Sequence, residues 1–247
     1  MIIIISSAKA MNINRDSIPC RDTPEFIDKA QEICSKLKSM DYDSLKALWK
    51  CNDEIAKLNV QRLARMNLSE ELTSAILAYD GIQYQYMAPG ELTKSELEYL
   101  QSRLRILSGF YGLLRPLDGI RPYRLEMQAK LPIGGEKDLY GYWGDMLAQS
   151  IFDKTDCIIN LASKEYSKCV SKYLTADKRL ITCLFGEKKD GKLIEKGTMC
   201  KIARGEMVRW MAQNRVQDPE QLKNFEGTYH RYSPEYSDEN NFAFLKK

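Results

Sequence analysis

Four consecutive isoleucines at positions 2–5 constrain the fold of this chain more than any other segment. A short, continuous apolar run of β-branched residues is typical of a strand that is fully buried in a sheet. The run is far shorter than the roughly 20 residues that a membrane helix needs. It ends at Ser6, and Lys9 follows shortly after. A lysine is therefore expected at the carboxyl end of this strand, where mixed α/β proteins commonly bind ligands.

The rest of the chain predicts helices and strands in irregular alternation. Apolar residues at helical spacing and capping signals predict helices over residues 23–37, 44–49, 53–66, 93–104, 144–152, 163–173 and 205–216, with a short one after Asp218. Strands are expected over residues 75–79, 157–161, 179–185 and 242–245, with a hairpin turn at Asp190 and Gly191. No linker or repeat interrupts the chain. The sequence predicts an α+β fold, a single mixed-sheet domain over residues 1–247 with surrounding helices.

Composition disfavours several classes of protein. No apolar stretch could span a bilayer and no secretory signal is visible, so a cytoplasmic protein is expected. Seven scattered cysteines, without a Cys-x-x-Cys pair, argue against a disulfide framework and a zinc ribbon. Reduced thiols are expected, and Cys200, beside Lys201, is the best placed to be a peroxide-sensing thiol instead.

Catalytic and cofactor motifs are scarce. His230 is the only histidine of the chain and is expected at the surface. A single histidine nearly excludes a Ser-His-Asp triad and a multi-histidine metal site. No phosphate-binding glycine motif occurs, and no spacing selects a carboxylate pair. No catalytic residue, metal or cofactor is therefore predicted.

Residues 103–130 are the most informative segment, because five arginines are interleaved with Pro116, Gly119 and Pro122. These residues exclude a plain helix. Gly109 and Gly112 would allow a tight hairpin with exposed amides, and arginine forks bind phosphate oxygens in two places at once. The segment is similar to a helix-hairpin-helix, a module that grips the DNA backbone. An ordinary loop, with its arginines paired to Asp118 or Glu126, is the open alternative.

A second basic segment contains Lys201, Arg204 and Arg209. If a helix begins near Arg204, its free amides and these cations form an anion site. The alternative is a solvated helix on which Glu206 neutralises its neighbours. Residues 160–166, a strand feeding a helix capped by Ser163, show the same pattern, and there a structural role is favoured. The net charge is only +3, so composition alone does not indicate a nucleic-acid partner.

Several segments together carry a resemblance to a known family, the YaaA peroxide-stress-resistance proteins. They extend along essentially the full length and occur in the expected order: residues 5–9, 104–118, 122–127, 138–140, 143–145, 159–166 and 203–205. One departure is Ser7, where the family usually has proline, so the loop that holds Lys9 is expected to be less rigid.

The resemblance implies a family-specific fold with a basic cleft and a helix-hairpin-helix element. It also implies binding to duplex or branched DNA and a role in surviving peroxide that includes keeping free iron low. Carried over by position, the DNA-binding candidates are Lys9, Arg105, Ser108, Gly109, Tyr111, Gly112, Arg115, Arg121, Arg124, Lys201, Arg204 and Arg209. Arg121 is not fixed by the family pattern. The alternative function is an enzyme whose small phosphorylated or nucleotide-like ligand is held by the same arginines.

Overall fold

A computed structural model describes residues 1–14 and 18–247 of the chain and shows a mixed α/β fold with one main sheet. The strands are β1 (Ile2–Ser6), β2 (Ala10–Met11), β3 (Thr73–Ser74), β4 (Tyr79–Asp80), β5 (Leu104–Ser108), β6 (Gly112–Leu114), β7 (Gly119–Ile120), β8 (Cys157–Asn160), β9 (Arg179–Lys189), β10 (Lys192–Ile194), β11 (His230–Tyr232) and β12 (Asn241–Lys246). The main sheet has the order β11-β12-β9-β8-β1-β5-β6, and β10 pairs with β9. The predicted mixed sheet is confirmed.

Strand β1 lies inside a parallel block at the centre of this sheet. It pairs in parallel with β5 on one side and with β8 on the other, and β9 and β12 continue the block. Antiparallel pairs, β5 with β6 and β12 with β11, close its two ends. Ile3, Ile4 and Ile5 have no exposed surface. The buried strand predicted from the isoleucine run is therefore confirmed.

Ten α-helices surround the sheets within the described residues. They are α1 (Ile27–Lys38), α2 (Tyr42–Trp49), α3 (Asp53–Ala64), α4 (Ala75–Ala78), α5 (Ile82–Met87), α6 (Lys94–Arg103), α7 (Leu139–Trp143), α8 (Met146–Phe152), α9 (Lys164–Ser171) and α10 (Gly197–Gln213). Short 3-10 helices lie at Pro89–Glu91, Pro219–Asn224 and Pro234–Tyr236. The capping box predicted from Thr93 and Glu96 opens α6. No helix in the described ranges is both long and apolar enough to cross a membrane.

The segment compared with a helix-hairpin-helix folds differently. Helix α6 ends at Arg103, and the chain continues directly into β5, a tight turn and β6, with Ser108 opposite Gly112. Gly112 adopts a φ of +71° in this turn. The helix-hairpin-helix-like element is not confirmed, because β5 pairs with β1 and β6 and its amides are engaged in the sheet.

Two further predictions of secondary structure were wrong. Residues 75–79, expected to form a strand, contain helix α4, and only Tyr79 belongs to a strand. A short apolar run does not distinguish a buried helix from a strand. Helix α10 begins at Gly197 rather than near Arg204, so the amide of Arg204 is not at a free helix terminus.

His230 is buried rather than exposed as expected, with 1% of its surface accessible. It lies at the start of strand β11, and its ring packs edge-on against Phe185, with centroids 5.7 Å apart. Burial lowers the pKa of this imidazole. Its role is in packing.

Helices α5 and α10 cross at a glycine. A Cβ on Gly205 would lie within 2.2 Å of the Gln83 carbonyl oxygen and 3.0 Å of the Met87 nitrogen. Since both contacts are to backbone atoms, no side-chain rotation could relieve them. The pair of helices is therefore held at a separation that only glycine permits at this position.

We expect Gly205→Ala to destabilise the protein by about 1–3 kcal/mol, because the added methyl group forces the two backbones apart. Gly197→Ala, on the same helix, meets open space and serves as the matched control. Urea unfolding measures both. Equal free energies of unfolding for the two variants would contradict the close contact at Gly205.

Candidate anion-binding cleft

A cavity of about 500 Å³ opens where strands β1 and β8 end at their carboxyl termini. The chain that follows β1, the start of α9, the start of α5 and the middle of α10 all contribute to its walls. It is lined by residues 6–10, residues 80–84, Glu126, Ser163, Glu165, Tyr166, Lys201 and Arg204. The position of this cavity agrees with the expectation that Lys9 follows a strand end at which ligands bind.

Hydrogen bonds between the two strand ends fix the floor of the cleft. The Ser163 amide donates to Ser6 Oγ at 2.9 Å, and Ser6 Oγ donates to Ser163 Oγ at 3.3 Å. From α5, the Tyr84 hydroxyl donates to the Ser6 carbonyl oxygen at 2.9 Å. Ser163 occupies the N-cap position of α9, as predicted, but its side chain makes no capping bond. It is used instead to join the strands.

Three cationic side chains line the cleft, and they differ in how well they are neutralised. Lys9 is 62% exposed and its Nζ lies 3.2 Å from Glu126 Oε2. Lys201 is exposed and forms no ion pair with any described residue. The Arg204 side chain is only 14% exposed, and its nearest carboxylate oxygen, on Glu195, is 3.7 Å away. Arg204 therefore carries a largely buried charge with weak compensation.

Two donor atoms on cleft residues lack an acceptor among residues 1–14 and 18–247. They are the amide nitrogen Nε2 of Gln83, a residue with 7% of its surface exposed, and Nε of Arg204. Buried donors are nearly always satisfied by protein, water or ligand, because leaving them unpaired costs about 1–3 kcal/mol each. Both atoms are themselves buried, so they lie within the wall of the cleft.

Three carboxyl groups also line the cleft, those of Asp80, Glu126 and Glu165. Glu126 contacts both Lys9 and Arg124, whose Nη2 lies 2.9 Å from Glu126 Oε1. Glu165 accepts a hydrogen bond from the Gln128 amide at 3.2 Å. Burial raises the pKa of Glu165, and the nearby negative charge of Glu126 adds to this rise. Glu165 was among the carboxylates that the sequence offered for acid–base chemistry, but no spacing selected it, and sequence reasoning missed Gln83.

Most of the other arginine candidates are engaged with the protein itself. Arg105 is buried and donates from Nη1 to the Leu104 carbonyl oxygen at 2.8 Å. Arg121 contacts Glu71, and Arg209 lies 2.9 Å from Glu91 in a separate groove. Arg124 reaches the cleft only through its contact with Glu126.

Arg115 holds a buried carboxylate. Its Nε donates to Asp118 Oδ1 at 3.0 Å and its amide donates to Asp118 Oδ2 at 2.8 Å. The Asp118 side chain is 1% exposed, whereas that of Arg115 is 34% exposed. The internal pairing that was the alternative for this loop is present.

The four candidates of the predicted hairpin are core residues. Ser108 Oγ accepts from the Tyr111 amide at 2.9 Å, and the Tyr111 hydroxyl accepts from the Arg121 amide at 3.0 Å. Gly109 and Gly112 leave room for neighbours, since a Cβ would strike the Leu125 carbonyl oxygen and the Trp143 ring respectively. Lys9, Lys201 and Arg204 are therefore the candidates that the structure brings to one cavity.

Three buried cysteines, Cys169, Cys183 and Cys200, do not have the surroundings of sensing thiols. Cys200 is buried, its Sγ donates to the Phe185 carbonyl oxygen at 3.0 Å, and burial raises its pKa to about 11. Burial likewise raises the pKa of Cys169 and Cys183 to about 12. Thiols react with peroxide as thiolates, so the hypothesis that Cys200 senses peroxide is disfavoured. In the described ranges, no cluster of three or more potential ligands is placed to hold a metal ion.

Fold and cleft together define a mixed-sheet α/β protein with a cavity at the ends of its central strands that is lined by three cationic and three acidic side chains. The sequence profile described as peroxide stress protein YaaA matches residues 1–236. The chain belongs to this family. Its relatives include UPF0246 proteins of Lachnoclostridium phytofermentans, 52% identical over 100% of this chain and 96% of the relative, and of Agathobacter rectalis, 49% identical over 100% and 99%. A UPF0246 protein of Desulfitobacterium hafniense is 49% identical over 100% and 98%.

We expect Arg115→Ala to destabilise the protein by about 2 kcal/mol at pH 8, less than for a fully buried pair because Arg115 is partly exposed. Burial raises the pKa of Asp118 above its value in the unfolded chain. The carboxylate form is therefore penalised in the folded state, and the penalty grows as pH rises from the pKa of the unfolded chain and is complete above the raised pKa. Removal of the guanidinium leaves this penalty uncompensated, so the loss should shrink at pH 4.5.

Urea unfolding at the two pH values measures this loss. Arg21→Ala is the control, because Arg21 pairs with Glu98 at the surface, where both side chains are about half exposed. It should change stability by less than about 1 kcal/mol. An Arg115→Ala deficit that does not depend on pH would show that Asp118 is not the group being stabilised.

Proposed function

We propose that the cleft binds phosphate groups of DNA and that the protein acts in the peroxide-stress response through this binding. The observation that carries the proposal is the convergence of Lys9, Lys201 and Arg204 on one cavity, where the largely buried Arg204 lies 3.7 Å from its nearest carboxylate oxygen. An uncompensated buried cation is unfavourable in the free protein, and an anion would relieve it. Phosphate oxygens accept charge-assisted bonds from guanidinium and ammonium groups.

The neighbours of Arg204 favour the same class of ligand. Lys201 is one turn earlier on α10 and is exposed at the rim of the cleft. Lys9 approaches from the end of β1 and is partly neutralised by Glu126. These three cations would contact few phosphates. We therefore infer that the protein contacts a short stretch of the backbone of duplex or branched DNA, rather than binding it along an extended basic groove.

A DNA-protecting role agrees with the state of the cysteines. Buried thiols with raised pKa values are poor reactants toward peroxide, which favours a protein that acts by binding rather than by consuming peroxide. We infer that it acts in the cytoplasm, where bacterial DNA is found, and that lower free iron and less oxidative damage follow from this role.

Lys201→Ala and Arg204→Ala should each lower the affinity for DNA by about tenfold, because each removes a charge-assisted phosphate contact. Each should also reduce the slope of log affinity against log salt concentration by about 1. Fluorescence anisotropy titrations at several salt concentrations measure both quantities.

Lys57→Ala provides the control, since Lys57 is an exposed lysine of α3 that does not line the cleft. It should leave affinity and slope unchanged. Equal losses for Lys57→Ala and Lys201→Ala would point to diffuse attraction over the surface, and an unchanged slope in Arg204→Ala would remove that residue from the site.

A second candidate function is an enzyme that acts on a small phosphorylated or nucleotide-like ligand. The observation in its favour is Glu165, a carboxyl group within the cleft whose pKa is raised by burial, as is common for proton-transferring groups. The cations would hold the phosphate while Glu165 donates or accepts a proton.

Thermal denaturation separates the two functions. A small phosphorylated ligand that binds the folded state raises the melting temperature, and the stabilisation grows with the logarithm of its concentration over Kd. If nucleotides stabilise the protein and DNA does not, the enzyme is favoured. If stabilisation occurs with DNA alone, the second candidate is rejected.

A further inference from the structure

We propose that strand β11 is an acid-sensitive latch, which lies on β12 at neutral pH and detaches as pH falls through the range in which a solvated histidine gains a proton. His230, the first residue of β11 and the only histidine of the chain, triggers the release. The release is confined to the end of the main sheet that β11 forms, and it does not depend on what the cleft binds. Mild acid therefore uncovers the edge of β12 while the rest of the sheet stays folded.

Strand β11 is held to the sheet by few contacts. It has three residues, which pair with the end of β12. On its other side, the described residues supply a bridge between Glu226 and Arg231 and a hydrogen bond of 2.9 Å from the Gly227 amide to the His230 carbonyl oxygen. Strand β12, by contrast, pairs with β9 and keeps this partner when β11 leaves. Short elements at the edge of a fold open locally at a lower free energy than the core does.

The site of the His230 ring suits a neutral imidazole and not a charged one. The residue is 1% exposed, and its ring lies edge-on to Phe185. Phe225 and Phe244 pack against Phe185, with centroid distances of 6.4 and 5.1 Å, and extend the apolar surroundings. Nδ1 has no hydrogen-bond partner in the described part of the chain. Because a protonated ring carries N–H groups on both nitrogens, protonation in place would bury a charge with an unpaired donor.

Two lysines oppose a positive charge on this ring. Lys246 of β12 is the residue paired with His230, and both line a small cavity that Lys196, just before α10, also lines. Arg231, the next residue on β11, is exposed. Burial is the main cause of the lowered pKa of His230, and the positive charge of Lys246 adds to it. Packing and charge therefore both favour the neutral ring in the closed strand.

The acidic groups nearby are already engaged. Glu187 of β9 lines the small cavity, and its Oε1 lies 2.7 Å from Lys196 Nζ. Glu206 of α10 favours a proton on the ring, but its Oε2 already accepts a hydrogen bond from a backbone amide at 3.2 Å. The Cys200 thiol is uncharged at neutral pH, because burial raises its pKa to about 11. A protonated ring would therefore compete for carboxylates that already have partners.

Detachment of β11 removes these obstacles to protonation. In the detached strand the imidazole is solvated and has its ordinary pKa of about 6.5. The pKa of His230 in the closed strand is lower, so well above about pH 6.5 the ring is neutral in both states. Below that pH the detached state binds more protons than the closed state. The equilibrium constant for opening therefore grows as pH falls, by up to about tenfold per pH unit.

Detachment also changes what the end of the sheet presents to solvent. The backbone groups that residues 244–246 of β12 use for β11 lose their partners, and Phe185 loses the imidazole that packs against it. Uncovered strand edges pair readily with strands of other molecules. The latch therefore covers an associating edge at neutral pH and exposes it in mild acid.

Hydrogen–deuterium exchange of the full chain at pH 7.5 and pH 5.5 tests the latch, with rates corrected for intrinsic exchange at each pH. We expect the equilibrium constant for opening of the β11 amides to rise about tenfold at the lower pH, because one proton is taken up on opening. The amides of β1 should stay protected by a larger free energy at both pH values, because this strand is central and buried.

Two substitutions remove the titrating group. His230→Phe fits an aromatic cluster and His230→Gln keeps a polar side chain, so the two change packing in different ways. In each, the equilibrium constants for opening at pH 5.5 and pH 7.5 should be equal, even if the variant opens more often at both. Arg231→Gln is the matched control on the same strand, because Arg231 is exposed and the imidazole is kept. It should retain the rise of about tenfold.

Three results would overturn the proposal. Equal opening of β11 at the two pH values in the unmodified protein would show that no proton is linked to opening. A rise that persists in both His230 variants would place the proton on another group. Opening of β11 and β1 at the same free energy would show that acid unfolds the whole chain rather than one strand.

Discussion

The parallel pairing of strand β1 on both of its edges is the constraint on which the rest of the structure depends. Its isoleucines are inaccessible to water, and its backbone is engaged by β5 and β8 along its length. The end of this strand is therefore fixed in space, and the chain after Ser6 must emerge at the edge of the sheet beside the end of β8. The cleft exists because two parallel strands end there and the next segments diverge.

Ion pairing decides which basic residues remain available to a ligand. Arg115 is paired with Asp118, and the buried Arg105 donates to the Leu104 carbonyl oxygen although its Nε lacks an acceptor among the described residues, so both side chains are engaged with the protein. Lys201 and Arg204 are on a helix whose acidic neighbour, Glu206, instead accepts from the Thr228 amide. The availability of a cation in this protein thus depends on how closely its carboxylate partners approach rather than on the local abundance of arginine.

Sequence patterns predicted the elements that depend on local signals. The structure contains the buried strand at the isoleucine run, the capping box at Thr93 and the turn at Asp190 and Gly191. Patterns failed where tertiary pairing overrides local signals. The glycines at 109 and 112 suggested an exposed hairpin, but the sheet absorbs this segment, and Trp143 occupies the space beside Gly112.

The cleft itself was only partly predictable. Lys9, Lys201 and Arg204 could be chosen by their chemistry and by the strand end, but their convergence depends on how α10 crosses α5. Gln83 carries no signal in the sequence, because an amide becomes informative only when burial leaves it without a partner.

The crossing at Gly205 restricts how a protein with this architecture can change over time. Any larger residue there would strike backbone atoms of the facing helix, so a side chain can be gained only if α5 is displaced at the same step. A series of single substitutions cannot enlarge the side chain at this position gradually. The sequence of the wall of the cleft that carries Arg204 should therefore change more slowly than the sequences of the outer faces of α5 and α10.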